Sequence, residues 1–495
     1  MGYKVMLTTE GTYPFHNGGV SIWCDHILHH LKDEFDFSVY SIMMNPFITQ
    51  KFTLPKESAL IKVPLWGTEE PSEYINIPFS KAYLIKKNTT RVDIREKFLP
   101  LFQALVEEVF FPVKDPARFG QTLKDLYLYF QDHDYKISFK SEMVWNTYQK
   151  LVARFTEGTD KSLPAPGAFS IINSLSWLYR FMTVLCTPLP RMDVTHSSAA
   201  AFSSIPCVLE KLLYGVPFLL TEHGIYLREQ YLSLYQRGYP PFLATLFIRL
   251  VQSVVSLSYH FADQVSPVCN YNTRWERRFG VKPQHIQVIY NGVDGTLFSG
   301  MRAGQSSGHS PGHTVVSVAR IDPVKDIETL LRAAALVIRQ IPDARFLVYG
   351  SVTVPEYYRK CLQLKESLGL GDRFVFAGHS DDMAAVYRQA DMVAISSISE
   401  AFPYAAIEAM IAGKAVAATD VGGVPEALGG CGVLVPPRNP EKLAEGITRL
   451  LLDPVLRTSL AEDASERANN RFNLKNMLSA YSASYTRLAT QQSTS

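Results

Sequence analysis

The sequence predicts an α/β protein of two doubly wound domains, with an α-rich insertion in the first domain. A strand, a glycine turn and a helix open the chain, and strands alternate regularly with helices from Thr314 onward. Between about 50 and 185 the patterns are helical and dense with aromatic residues, and few strands are evident. At 495 residues the chain is long enough for two or three domains.

Composition narrows the class of protein. The chain is 47% hydrophobic and 19% charged, as in globular proteins, and its net charge of +2 implies neither a nucleic acid nor an anionic membrane as a partner. None of the six cysteines forms a close pair, so we expect no zinc or redox motif. This cysteine pattern fits a reduced, cytosolic compartment. Because the N-terminus runs directly into a strand, we expect no signal peptide and a cytoplasmic protein. The apolar run from 242 to 257 contains Arg249 and Gln252, so a packed helix is favoured over a membrane span.

The domain boundaries follow from where these patterns change. We predict a first domain over 1–300, with its insertion at about 50–185, and a linker over 301–313, which is rich in Gly and Ser. A second domain over 314–473 and a helical tail over 474–495 complete the chain.

The elements of the first domain place its candidate residues. Lys4–Thr9 is predicted as the first strand, and Gly18 and Gly19 precede a helix that runs through about Leu31. This glycine pair would let backbone N–H groups approach a ligand, although a plain tight turn has the same pattern. Further strands are predicted to end at His196 and His223 and to occupy 264–268 and 286–290.

Two cations mark the first predicted strand end of the second domain. Arg320 and Lys325 stand five residues apart, between a strand from Val315 and a helix through Leu331. A guanidinium offers a planar fork of donors and an ammonium offers a mobile charge, and both suit a diphosphate. A solvated loop with two basic residues is the alternative.

Two carboxylates mark a second strand end of the same domain. Glu400 falls on a strand-to-helix loop, and Glu408 lies about two turns into the helix that Pro403 opens and Gly413 ends. The helix N-terminus between the two carboxylates suits a phosphate, and the carboxylates suit sugar hydroxyls. The pattern therefore suggests recognition of a nucleotide-sugar, and two ordinary surface glutamates are the alternative.

Both blocks resemble the signatures of retaining glycosyltransferases of the glycogen-synthase-like type, family GT4. The block from Glu400 to Glu426 resembles the E-x7-E signature along its full length, and Arg320 with Lys325 resembles the pair that binds the donor diphosphate. The two blocks lie 80 residues apart in the family's order. The resemblance implies a GT-B fold, in which two Rossmann-like domains face a cleft and the last helix crosses back onto the first domain.

The long helical insertion, the opening Glu10–Ser21 and the segment Thr221–Glu229 resemble the PelF-type enzymes of pellicle exopolysaccharide assembly. This resemblance implies hexose transfer from a nucleotide-diphosphate sugar, with UDP-glucose favoured, to a saccharide acceptor. It also implies no cofactor, activity without a metal, and recruitment to a membrane-bound exopolysaccharide synthase complex at the inner face of the membrane.

The resemblance also assigns roles to residues. The expected catalytic residues are Arg320, Lys325, Glu400, His196 and His223, and a structural role is an equal alternative for each histidine. Some relatives carry the key histidine where this chain has Ser198, and Asp132 and Asp134 form a D-x-D pattern that we do not expect to bind metal. The expected donor-binding residues are Gly18, Gly19, Arg320, Lys325, Gly350, Ser351, Gly378, His379, Glu400, Ala401, Phe402, Pro403, Tyr404 and Glu408.

Other functions share parts of this pattern. A UDP-sugar epimerase or a phosphorylase would use a similar architecture, although no lysine for pyridoxal phosphate can be identified. A non-catalytic subunit that binds a nucleotide-sugar and docks to a membrane polysaccharide synthase is the alternative from another class.

Overall fold

The chain folds into two compact units, here described from a computed structural model that covers residues 2–68, 70–158, 160–301 and 313–492. Unit 1 comprises Met1–Pro267, Thr273–Val288 and Tyr481–Ser495, and unit 2 comprises Val268–Asn272 and Ile289–Ala480. Each unit contains one parallel six-stranded sheet, which confirms the predicted α/β fold class. The predicted linker 301–313 falls largely on 302–312, outside the described residues.

Unit 1 has the doubly wound strand order β3-β2-β1-β4-β5-β6. Helices cover both faces of a parallel sheet, so its central strands are buried, and Val5, Met6 and Leu7 of β1 are fully buried. The predicted strand at 286–290 is absent from the described structure, in which Ile286 only bridges to Val265. The strands are β1 (Tyr3–Glu10), β2 (Phe35–Met43), β3 (Ala59–Pro64), β4 (Val194–Ser197), β5 (Phe218–Glu222) and β6 (Gln264–Pro267).

The insertion is helical, but it begins later than predicted. Residues 59–64 form the edge strand β3 of the sheet, so the α-rich part lies between β3 and β4. Its buried aromatic residues, among them Phe98 and Phe119, share one core with Met6 and Tyr40 of the sheet. Most of the insertion therefore extends the core of unit 1. Its helices are α2 (Phe79–Asn88), α3 (Arg91–Asp93), α4 (Leu99–Phe110), α5 (Pro116–Asp132), α6 (Tyr135–Phe139), α7 (Glu142–Thr156) and α8 (Ala168–Phe181).

In the part of the chain that the structure describes, one helix, Pro241–Phe261, is long and apolar enough to cross a membrane. Two thirds (67%) of its most apolar stretch is buried within the protein, as in the core helix of a globular unit. The helices outside the insertion that contribute to unit 1 are α1 (Gly19–Leu31), α9 (Ile205–Tyr214), α10 (Tyr226–Arg237), α11 (Pro241–Phe261), α12 (Asn270–Arg278) and α20 (Leu474–Gln492).

Unit 2 repeats the strand order of unit 1, because its sheet reads β9-β8-β7-β10-β11-β12 from one edge. Its strands are β7 (Thr314–Val318), β8 (Arg345–Tyr349), β9 (Phe374–Gly378), β10 (Met392–Ile395), β11 (Ala415–Thr419) and β12 (Val433–Val435). Its helices are α13 (Ile327–Gln340), α14 (Pro355–Ser367), α15 (Met383–Arg388), α16 (Tyr404–Ile411), α17 (Val424–Leu428), α18 (Pro440–Leu452) and α19 (Pro454–Arg471).

Candidate functional site

The candidate site of unit 2 lies where its strand order reverses. The strands β7 and β10 are neighbours in the middle of the sheet, and the chain winds outward from them in opposite directions. Arg320 follows β7 and Glu400 follows β10, so both residues lie at the carboxyl ends of these strands. Ligands of open α/β sheets bind in the crevice at this point.

Asp322 shapes the loop that carries the two predicted cations. Its Oδ1 accepts hydrogen bonds from the backbone N–H groups of Val324 (3.0 Å) and Lys325 (3.2 Å), which caps the 3₁₀ turn Pro323–Lys325. Its Oδ2 lies 3.3 Å from a guanidinium nitrogen of Arg320, whose side chain is 56% exposed. The sequence reasoning missed Asp322, although an acidic residue directly before Pro323 is a helix-start signal.

The structure brings Lys325 and Glu400 together. Lys325 Nζ lies 2.6 Å from Glu400 Oε1, and both side chains are mostly buried. Ser397 also donates its hydroxyl to Glu400 Oε1 at 2.6 Å. Because Oε1 takes both donors, the lysine and the serine fix the orientation of the carboxylate. The predicted diphosphate-binding loop and the predicted sugar-binding loop therefore form one site.

Two glycines allow the backbone of the Glu400 loop to approach the loop after β11. A Cβ on Gly422, whose φ is +58°, would lie 1.6 Å from the carbonyl oxygen of Glu400. A Cβ on Gly423 would lie 2.1 Å from the carbonyl oxygen of Ala401, to which Gly423 donates its N–H at 2.8 Å. Any side chain at either position would displace the loop that carries Glu400.

Glu408 lies within α16 and is held by Tyr387. The tyrosine hydroxyl lies 2.9 Å from Glu408 Oε2, and burial raises the pKa of the Glu408 carboxyl. Tyr387 gives no signal in the sequence, since it precedes Glu408 by 21 residues on another helix. Gly413, at φ +66°, follows the end of α16 as predicted, whereas Pro403 is the N-cap and not the first helical residue.

The other predicted donor-binding residues of unit 2 lie along the same edge of its sheet. Gly350 and Ser351 follow β8, and a Cβ on Gly350 would lie 2.0 Å from the Ala319 carbonyl oxygen. Gly378 ends β9, and His379 is exposed and lies 3.0 Å from Asp381. Four more of these residues lie on the loop that leads into α16 or at its start, namely Ala401, Phe402, Pro403 and Tyr404. In that loop the ring of Phe402 is buried against Tyr290 and Phe472, so only its backbone remains available to a ligand.

His196 of unit 1 is fully buried, and both of its ring nitrogens have partners. Nδ1 lies 2.7 Å from the Tyr485 hydroxyl and Nε2 lies 2.8 Å from Thr221 Oγ1. Burial lowers the pKa of this imidazole well below its usual range, so the ring is neutral. This geometry favours the structural role that the sequence left open for His196.

His223 differs from His196 in its hydrogen bonding. Burial lowers its pKa to about 3, and its Nε2 is buried without a hydrogen-bond partner among the described residues. Its ring contacts Trp23 edge-on, with 4.6 Å between the ring centroids. Gly18 and Gly19 lie at the start of α1, and open space surrounds the Cβ position of Gly18. Of the two histidines, His223 keeps a ring nitrogen for a ligand.

The sequence reasoning assigned no role to three acidic residues of unit 1. Glu10 ends β1 and accepts from the Tyr226 hydroxyl at 2.8 Å. Glu222, at the end of β5, accepts from the Tyr259 hydroxyl at 2.6 Å, and burial raises its pKa to about 8. Burial and the nearby Glu222 raise the pKa of Glu276 to about 9. Glu222 and Glu276 are buried core residues, and no spacing in the sequence indicates their burial.

The D-x-D pattern of the insertion has a local structural use. Asp134 accepts from the backbone N–H of Ile137 at 2.7 Å and so caps α6. Within the described ranges, no three His, Cys, Asp or Glu side chains are grouped to hold a metal ion.

Glu426 of unit 2 ends the block that begins at Glu400. It accepts hydrogen bonds from the Tyr290 hydroxyl and from the backbone N–H groups of Asn270 and Tyr271.

Two family models match the chain. The first is described as a domain of unknown function (DUF3492) and matches residues 3–284, which is more than half of the chain. The second is described as glycosyl transferases group 1 and matches residues 305–471, the part that contains Arg320, Lys325, Glu400 and Glu408. The residues of the candidate site in unit 2 thus lie within a glycosyltransferase group 1 domain.

Curated relatives match part of the chain. A D-inositol 3-phosphate glycosyltransferase from Rhodococcus opacus is 37% identical over 206 residues, which is 39% of this chain and 46% of that protein. One from Salinispora arenicola is 32% identical over 213 residues, which is 39% of this chain and 48% of that protein. The chain therefore spans about half the length of the curated relatives that it matches.

Solved structures share the fold over the whole chain. Sucrose-phosphate synthase from Thermosynechococcus elongatus has a TM-score of 0.64 at 19% identity, covering 98% of this chain and 99% of that one. The Anabaena protein HepE, solved in complex with UDP-glucose, has a TM-score of 0.58 at 16% identity and covers both chains fully (100%). At these identities the likeness establishes the two-domain α/β fold.

Proposed function

The chain belongs to the family described as a domain of unknown function (DUF3492). Because its second part matches glycosyl transferases group 1, we propose that it is a retaining glycosyltransferase. It would move a hexose from a nucleotide-diphosphate sugar to a growing saccharide. In this proposal the part that matches glycosyl transferases group 1 would bind the donor, and residues 3–284 would bind the acceptor.

The ion pair between Lys325 and Glu400 is the observation that carries this proposal. It joins two loops that are 75 residues apart in sequence, at the strand crossover where α/β sheets bind ligands. A donor diphosphate would take the Lys325 ammonium as its counter-ion, and Glu400 would then accept from hydroxyls of the sugar. The pair holds both side chains in position until the donor arrives.

The proposed reaction needs charge stabilisation more than it needs a protein base. As the bond from the sugar to the diphosphate breaks, negative charge grows on the diphosphate, where Lys325, Arg320 and the first turn of α16 would stabilise it. The leaving diphosphate would accept the proton of the acceptor hydroxyl on the same face of the sugar. Glu408 would hold the ribose through Oε1, since Tyr387 occupies Oε2.

UDP-glucose is the donor to test first. The resemblance to PelF-type enzymes favours it, and HepE, which shares the fold, was solved with UDP-glucose. The same resemblance favours an exopolysaccharide acceptor, work beside a membrane-bound synthase complex, and a cytoplasmic location near the inner membrane face. The inositol phosphate of the curated relatives' names is the alternative acceptor to include.

The test is to measure nucleotide release from a panel of nucleotide-sugars, with and without saccharide acceptors. We expect UDP release that depends on an acceptor and persists in excess EDTA, with retention of the anomeric configuration in the product. Interconversion of nucleotide-sugars without release would indicate an epimerase. Binding of a nucleotide-sugar with no turnover on any acceptor would favour the non-catalytic subunit.

A further inference from the structure

The helix α2 of the insertion stands out because it contributes almost nothing to the core. None of its ten described residues is buried, whereas the next long helix, α4, buries half of its twelve residues. Its large apolar side chains point outward, with Phe79 86% exposed, Tyr83 57% exposed and Leu84 52% exposed. A helix that only served the fold would bury these side chains instead.

The positions on α2 separate an inner face from an outer face. Ala82 and Ile85, three residues apart, are half-buried and form the side that faces unit 1. Phe79, Tyr83 and Lys87 follow one another at intervals of four residues and therefore share the outer face. The outer face thus combines two aromatic rings with a lysine.

The charge around α2 is one-sided. The segment 79–97 carries six basic and two acidic residues, a net charge of +4, whereas the rest of the chain has 43 basic and 45 acidic residues. The helix itself contains Lys81, Lys86 and Lys87 and no acidic residue. Of these lysines, Lys86 pairs with Glu70 at 3.1 Å. The basic character of α2 is therefore a local feature and does not reflect the composition of the whole chain.

We propose that the outer face of α2 docks unit 1 onto an anionic lipid surface. Aromatic and leucine side chains enter the boundary between headgroups and acyl chains, while nearby lysines contact anionic headgroups. The charge of the segment selects an anionic surface over a neutral one. An acidic protein surface is the competing occupant, but it offers no acyl layer to take up the phenyl ring and the leucine side chain.

This docking is independent of the proposed activity, since α2 carries none of the residues of the candidate site. It would hold the protein beside a membrane without a spanning segment. The binding is expected to be reversible and sensitive to salt, because a short helix with three large apolar side chains buries little area.

The experiment is cosedimentation of the full chain with lipid vesicles. One set contains phosphatidylcholine alone, and the other contains about a third phosphatidylglycerol, an anionic lipid. We expect binding to the anionic vesicles only, weakening as salt is raised. Lys87→Glu and Phe79→Ser/Leu84→Ser should each lower the affinity at least about tenfold.

Matched controls separate docking from general charge and hydrophobicity. Lys282→Glu makes the same charge change at an exposed lysine elsewhere, and Leu452→Ser/Val455→Ser removes exposed apolar side chains of unit 2. Both controls should bind vesicles as the unmodified chain does. An unchanged melting temperature in the α2 variants would show that they fold.

Three results would overturn the proposal. The first is no binding of the unmodified chain to anionic vesicles, and the second is unchanged binding by both α2 variants. The third is that the controls lose as much affinity as the α2 variants. Cross-linking of α2 to an acidic protein, with no vesicle binding, would identify the protein surface as the true occupant.

Discussion

At the scale of single residues, the proposed donor site depends on the ion pair between Lys325 and Glu400. Lys325 is 19% exposed and Glu400 is 10% exposed, so each stabilises the other where water is scarce. Arg320 is 56% exposed and, among the described residues, its guanidinium pairs only with Asp322, which leaves it available to a ligand. Lys325 is therefore built into the site, whereas Arg320 reaches into it from the rim.

The first prediction concerns these two cations. Arg320→Ala and Lys325→Ala should each lower turnover at least about 10²-fold, comparable with removing one preorganised transition-state donor. Only Lys325→Ala should also lower the melting temperature, because it leaves the Glu400 carboxylate without its cation. Steady-state kinetics and thermal melts check this. Near-normal turnover in a folded Lys325→Ala variant would exclude its role with the diphosphate.

The second prediction separates the two glutamates. Glu408→Ala should weaken the binding of free UDP, whereas Glu400→Ala should leave UDP affinity unchanged and impair only the sugar-dependent step. Tyr387→Phe should weaken UDP binding to a smaller extent, since it releases Glu408 without removing the carboxylate. Calorimetric titration with UDP and with UDP-glucose checks the three variants. Equal losses of UDP affinity for Glu400→Ala and Glu408→Ala would contradict the division.

At the scale of elements, a close approach between two loops positions Glu400. The loop after β11 can pass this near to the loop before α16 only because residues 422 and 423 have no side chain. The sequence displays this pair plainly as Gly-Gly, yet the carbonyl oxygens that it faces become visible only in three dimensions.

The third prediction tests this close approach. Gly422→Ala should abolish most turnover, because its Cβ would collide with the Glu400 carbonyl. Gly430→Ala is the matched control, since Gly430 also has a positive φ (+92°) but no atom within 4 Å of its Cβ position. Both variants should lose about 1–2 kcal/mol of folding free energy through backbone strain, and Gly422→Ala should lose more because of the collision, while the control should keep its turnover. Equal turnover in both variants would show that the approach does not matter.

At the scale of the whole molecule, buried acids make stability depend on pH. The pKa of Glu276 is raised to about 9, chiefly by burial and then by the neighbouring Glu222. The folded state therefore holds a proton that the unfolded state releases above its ordinary carboxyl pKa of 4.5. Stability must fall as pH rises through this window, by about 1.4 kcal/mol per pH unit for one such proton.

The fourth prediction follows from that sign. Glu276→Gln keeps the shape of the side chain but removes the proton that titrates. Its melting temperature should match that of the unmodified chain near pH 5 and exceed it increasingly toward pH 9. Glu356→Gln is the control at an exposed carboxyl (75% exposed) and should not change the profile. Parallel pH profiles for Glu276→Gln and the unmodified chain would contradict the prediction that the folded state keeps the Glu276 carboxyl protonated.

The sequence predicted the residues that stand at strand ends, because strand, loop and helix signals are local. Arg320, Lys325, Glu400 and Glu408 lie on the elements that were expected for them. It could not predict partners that are distant in sequence, such as Tyr485, which is 289 residues from His196. Nor did helix patterns reveal that residues 59–64 add a strand, since a short edge strand gives a weak alternating signal.

Unit 2 includes the short segment Val268–Asn272, which is flanked on both sides by chain of unit 1. Glu426 accepts hydrogen bonds from Asn270 and Tyr271 of that segment, so these five residues belong to its fold. A chimera joined only near residue 289 would therefore receive unit 2 without residues 268–272, and Glu426 would contact the corresponding residues of the other parent protein. An exchange of donor modules between members of the family must carry residues 268–272 along as a separate graft.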